Sequence, residues 1–97
     1  MNQTTLEDRL FLGDRAKEVL ENEAFSAAFD ALEKDIVDQW KASPAKDEDA
    51  RQKLWQYLQM AYRLRENLQR TLETGKLAKL ELQHQQTLRE RAKAWLG

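Results

Sequence analysis

Ninety-seven residues, 41% of them apolar and 34% charged, describe one small domain with a limited capacity to bury surface. The absence of cysteine excludes disulfides and any thiolate-based site. The opening MNQTTLEDRLFLGD lacks a basic lead and an unbroken apolar run, and no stretch approaches membrane-span length, so the expectation is a cytoplasmic protein without a membrane partner.

Three glycines, one proline and abundant Ala, Leu, Glu, Lys, Arg and Gln favour helices throughout. The expected fold is all-α: a helical hairpin or three-helix unit with a long C-terminal helix, assembled into an oligomer. Residues 1–97 form one small helical domain in this reading, with 76–97 as a distal helical interaction segment.

The first helix starts after Thr5, whose spacing to Asp8 suits a capping box. Leu6, Leu10, Ala16, Val19 and Leu20 trace its apolar stripe, weakened at Gly13. Asn22 marks a break and caps a second helix that opens with Glu23. There Phe25, Phe29, Leu32, Ile36 and Trp40 recur every three or four residues and require an apolar partner. Asp30 and Lys34 are spaced for an ion pair on the opposite side. Ser43–Pro44 ends this helix, because proline cannot continue the hydrogen-bond ladder.

Helical periodicity returns near Asp49. Leu54, Leu58, Ala61, Leu68 and Leu72 form a seam with Arg65 at its centre, and Trp55, Tyr62 and Leu64 broaden it beyond a narrow coiled-coil contact. Arg65 is expected to snorkel or to pair with an acid of another helix. The aromatic residues Phe25, Phe29 and Trp40 are expected to pack against Trp55 and the nearby leucines. Gly75 is flanked by helix formers, and an interior glycine costs only about 1 kcal/mol relative to alanine, so the helix is expected to run through it. From residue 49 to 96 it would measure about 70 Å. Two short helices cannot cover that length, so the distal half is expected to need a partner.

Charge is unevenly placed. Residues 1–49 hold thirteen acids and six bases, a net of −7, while residues 50–97 hold ten bases and four acids, a net of +6. Acidic early helices lying against the basic later helix, within one protomer or between neighbours, account for this pattern. A phosphate-binding surface is the alternative, with Lys76, Lys79, Arg89, Arg91 and Lys93 as nucleic-acid-binding candidates. Leu77, Leu80, Leu88 and Trp95 are the protein-interface candidates, Trp95 as an aromatic anchor near the end of the helix.

Catalytic constellations are missing from the pattern. His84 is the only histidine and stands in QHQQ, without a carboxylate partner or a metal-ligand cluster. Ser26 and Ser43 have no adjacent histidine and acid to activate them. ETGKLAK lacks the spaced glycines and the Lys–Ser/Thr of a phosphate loop. The expectation is a protein that is not an enzyme, with no metal and no cofactor.

The progression NEAFSAAFDALEKDIVDQWKASPAKDEDARQKLW, followed by LETGKLAK, resembles small helical head-assembly proteins of tailed phages, including small terminase subunits. The resemblance spans roughly Glu18–Lys79. It implies an oligomeric packaging adaptor built on a central helical hairpin, with a separate DNA-binding element. No clear N-terminal helix-turn-helix stands here, so hairpin-based oligomerisation carries over better than DNA recognition, and no catalytic residue carries over. The functional expectation is therefore a non-enzymatic oligomeric assembly or adaptor protein in phage DNA packaging, a homo- or hetero-oligomer with a packaging protein as partner. The alternative is a terminase-like protein that binds DNA through its basic C-terminal half.

Overall fold

A computed structural model describes residues 5–96, which form three helices: α1 (Leu6–Glu21), α2 (Glu23–Ala42) and α3 (Glu48–Leu96). Local sequence sets each boundary. The Thr5 hydroxyl accepts from the Asp8 amide at 3.1 Å, and the Asp8 carboxylate accepts from the Thr5 amide at 3.4 Å, completing a capping box. Asn22 serves two helices. Its amide donates to the Val19 carbonyl of α1 at 3.1 Å, while its side-chain oxygen accepts from the Phe25 amide of α2 at 3.0 Å. Two helices therefore meet end to end with a single residue between them.

After Ser43–Pro44 the chain reverses. Asp47 caps α3 by accepting from the Ala50 amide at 3.2 Å. Arg51 then ties the turn together. Its Nη1 donates to the Trp40 carbonyl at 3.2 Å, the Ser43 carbonyl at 3.3 Å and the Ser43 hydroxyl at 3.0 Å. Its guanidinium also lies 4.2 Å from the centroid of the Trp40 ring. A cation thus meets the negative C-terminal end of α2, where the carbonyls of Trp40 and Ser43 accept from it.

α2 runs antiparallel along the first half of α3, and α1 continues along the second. Phe29 and Ile36 of α2 are buried, and Phe29 sits 6.4 Å from Tyr62 of α3, ring centre to ring centre. The Arg65 guanidinium lies 4.6 Å from the centroid of Phe29 and 5.5 Å from that of Tyr62. Of the two expectations for Arg65, an acid partner does not appear among the ion pairs of the described residues; the cation lies over aromatic faces, which suits a planar, weakly hydrated guanidinium. Lys34 likewise takes Asp38 at 2.6 Å, not Asp30. That contact raises the Lys34 pKa and lowers the Asp38 pKa, in both cases chiefly through the hydrogen bond.

Gly75 lies inside an unbroken α3 and is buried. Its position is set by α1: a Cβ on Gly75 would stand 2.7 Å from the Gly13 Cα, and one on Gly13 would stand 2.7 Å from the Gly75 Cα. Buried Ala16 and Ala78 extend this contact. Gly13 is therefore part of the packed face of α1 and not a weak point in it, whereas Val19 is exposed. Small residues here let two backbones approach where larger side chains would hold them apart.

The expectation that the distal half of α3 lacks an intramolecular partner is corrected by the same contact. The buried and half-buried positions of α3 include Arg51, Leu54, Leu58, Ala61, Arg65, Leu68, Leu72 and Gly75, at alternating three- and four-residue steps, followed by Ala78 and Leu82. The seam stops at Leu82, and the following positions in register, Gln86, Arg89 and Lys93, are polar and exposed. The helix lengths agree: α1 and α2, with 16 and 20 residues, span about 54 Å together, against about 73 Å for the 49 residues of α3. The shortfall of about 20 Å corresponds to the end of α3 beyond Leu82.

Candidate protein-interaction surface

The molecule is only two helices thick, with extents of 77 × 31 × 17 Å and a radius of gyration of 21.2 Å. A globular chain of this length has a radius of gyration of about 12–13 Å. The accessible surface is 8248 Å², whereas a folded monomer of 11.4 kDa exposes about 5,800 Å². About 2,500 Å² of surface is therefore exposed beyond the globular expectation. The buried apolar residues are Ala16, Phe29, Ile36, Ala61 and Ala78, and among the described residues no large side chain is fully enclosed. Each helix in such a rod touches a neighbour on one side only, so an apolar side chain off the seam has nothing to pack against.

Two apolar features result. Near the hairpin turn, Ile36, Val37, Trp40, Leu54, Trp55 and Leu58 line an open groove of about 250 Å³ between α2 and α3. Trp40 and Trp55 are 43% and 58% exposed, so they form the walls of this groove and not the sealed core expected of them. The second feature lies on the distal half of α3. Leu77, Leu80, Leu88 and Trp95, the four interface candidates, are all exposed, Trp95 to 91%. At about 100° per residue they fall within an arc of about 80° on the helix. Gly75, Ala78 and Leu82, which face α1, lie on the other side. His84 is exposed within the same apolar arc.

The basic candidates do not converge. Lys76 pairs with Glu73 at 3.4 Å, and together with Lys79 it borders a depression beside Asp14 and Lys17 of α1. Arg89 and Lys93 border a second depression with Glu7 and Glu90, where α1 begins. Arg91 follows Arg89 by two residues and projects from roughly the opposite side of the helix. Acidic α1 does lie along the basic half of α3, as the charge pattern suggests. Yet the ion pairs among the described residues, Arg15–Glu18, Lys17–Glu21, Lys34–Asp38 and Lys76–Glu73, each stay within one helix.

One titratable group reports on the α2–α3 contact. The Tyr62 phenol is held above its ordinary value, first by partial desolvation and then by the charge of Glu33 on α2. Among the described residues no group of His, Cys, Asp and Glu could hold a metal ion, and no helix is long and apolar enough to cross a membrane.

Sequence reasoning overlooked the Trp40–Trp55 groove because a strong apolar stripe reads as core when the number of covering layers is unknown. The groove's one advance signal was the two tryptophans flanking a short turn. Comparison with family models, with curated proteins and with solved structures found no match.

Proposed function

We propose that this chain is a non-enzymatic assembly or adaptor protein whose outer α3 face joins a larger helical oligomer. The observation that carries the reading is the excess of about 2,500 Å² of exposed surface on a two-helix rod whose outer α3 face exposes Leu77, Leu80, Leu88 and Trp95. Stable interfaces remove about 1,200–2,000 Å² in total, and obligate ones more, so the excess is of the size association consumes. Phage DNA packaging is the setting suggested by the resemblance of residues Glu18–Lys79 to head-assembly proteins, and a packaging protein is the corresponding partner.

Light scattering across a concentration series tests this function. Leu80→Asp or Leu88→Asp should weaken assembly more than Lys79→Ala, because an exposed ion pair contributes only about 0–1 kcal/mol whereas a charge in an apolar contact costs more. A monomer at every concentration that also binds no packaging protein through residues 76–97 would sink the proposal.

The basic surplus of residues 50–97 supports a second reading, DNA binding through phosphate contacts. Mobility shifts at increasing salt, for the wild type and for Arg89→Gln with Lys93→Gln, separate the two. Binding that weakens steeply with salt and is lost in the double variant favours the nucleic-acid reading.

A further inference from the structure

The outer face of α3 carries a spacing that selects its partner. Trp55, Glu66, Leu77 and Leu88 recur at eleven residues, and so do Tyr62, Glu73, His84 and Trp95. Interleaved, the two sets give steps of seven and four, beginning and ending on seven. An eleven-residue period of about 3.67 residues per turn keeps such a row on one side of a nearly straight helix. All eight positions fall within an arc of about 80° at about 100° per residue. Seven of them are exposed, and Tyr62 is half-buried against α2.

The order of the steps is symmetric about residue 75. Running the row backwards superposes Trp55 on Trp95, Tyr62 on Leu88, Glu66 on His84 and Glu73 on Leu77. A face with this property matches an antiparallel copy of itself in spacing. The groove beside Trp55 and the 91%-exposed Trp95 lie at opposite ends of α3, about 60 Å apart, so they cannot meet within one chain.

We infer that the partner of this face is a second copy of the same chain, paired antiparallel along α3 around a two-fold axis near residue 75. The inference rests on the assembly reading above and specifies its partner and register. In this arrangement the partner's Trp95 reaches the groove bordered by Trp40 and Trp55, and the reverse contact forms at the other end. A two-fold interface is self-complementary in this way.

Charge favours the same direction. Residues 76–96 carry five bases and two acids, a net of +3, while α2 carries five acids and two bases, a net of −3. Antiparallel pairing lays the basic end of each α3 beside the acidic α2 of the other copy and sets Glu66 opposite the partner's His84. A parallel pair would place Glu66 on Glu66, Glu73 on Glu73 and Arg91 on Arg91, which costs repulsion at those three levels. The surface required is available, since a standard interface takes about 800 Å² from each partner and each rod exposes about 2,500 Å² in excess.

The test uses the full chain, which has no native cysteine to interfere. Single nitroxide labels are placed on Gln69→Cys and, separately, on Ala94→Cys, both at exposed positions, and label-to-label distances are measured by pulsed electron resonance. The antiparallel register gives about 20 Å for position 69 and about 60 Å for position 94, from 1.5 Å per residue and an interhelical spacing of about 8–10 Å. Leu88→Asp should weaken dimerisation about ten- to hundredfold while leaving helical content unchanged, since Leu88 is an exposed position beyond the buried seam of α3. Arg91→Ala should change it only a few-fold. Short distances at both labels would overturn the antiparallel inference while leaving assembly standing. A monomer by light scattering at millimolar concentration would also overturn it, leaving the assembly reading to rest on a different protein.

Discussion

Replacing Gly75 by alanine separates two effects of opposite sign. In an open helix the change stabilises by about 1 kcal/mol, because alanine loses less backbone entropy than glycine. Here the added Cβ would lie 2.7 Å from the Gly13 Cα and 3.0 Å from the Arg9 carbonyl oxygen. Carbon atoms pack comfortably at about 3.5–4.0 Å, so α1 must move away by about 1 Å. Both obstructing atoms belong to backbone, and no rotamer change relieves the clash. Overpacking of this kind costs about 1–3 kcal/mol, so after the propensity gain the variant should be destabilised by about 0–2 kcal/mol. Gly13→Ala should behave alike. The double variant should lose less than the sum, because helices already separated accommodate the second Cβ at lower cost. Urea denaturation at fixed protein concentration gives the energies, and amide exchange in residues 8–20 should show that the loss centres on α1. A Gly75→Ala variant with a raised urea midpoint, together with a melting temperature higher by about 4–8 °C, would refute the close crossing.

Arg51→Ala should cost about 1–3 kcal/mol in urea denaturation, since it removes charged hydrogen bonds to the end of α2 and the contact with Trp40. Arg51→Lys should recover only part, because an ammonium cannot reproduce the guanidinium fork. Tyr62 predicts an alkaline effect: a folded-state pKa raised above the usual 10.0 favours the neutral phenol in the folded chain. Its contribution is present below pH 10 and is lost as pH rises through the raised value. Urea midpoints measured at pH 8 and near pH 11 should therefore converge when Tyr62→Phe removes the group. An undiminished alkaline loss in that variant would show that another group is responsible.

The all-α fold and the boundaries of its helices were legible in the sequence because both are local. Thr5 with Asp8, Asn22, and Ser43–Pro44 act on backbone groups within a few residues, so their consequences do not depend on the rest of the chain. The α2–α3 hairpin followed from a strong stripe and a short turn. Gly75 was correctly placed inside a continuous helix, but the reason for a glycine there was not local: it lies in Gly13, sixty-two residues earlier, and in the approach of two backbones. Tertiary structure alone stacked α1 on the end of α2 and along α3 to Leu82. That arrangement turned a three-helix sequence into a rod two helices thick and left Trp40 and Trp55 lining a groove. Periodicity along a helix identifies which residues share a face. Whether that face is covered depends on where distant segments dock, which is why the same pattern can serve as a core or as an open surface.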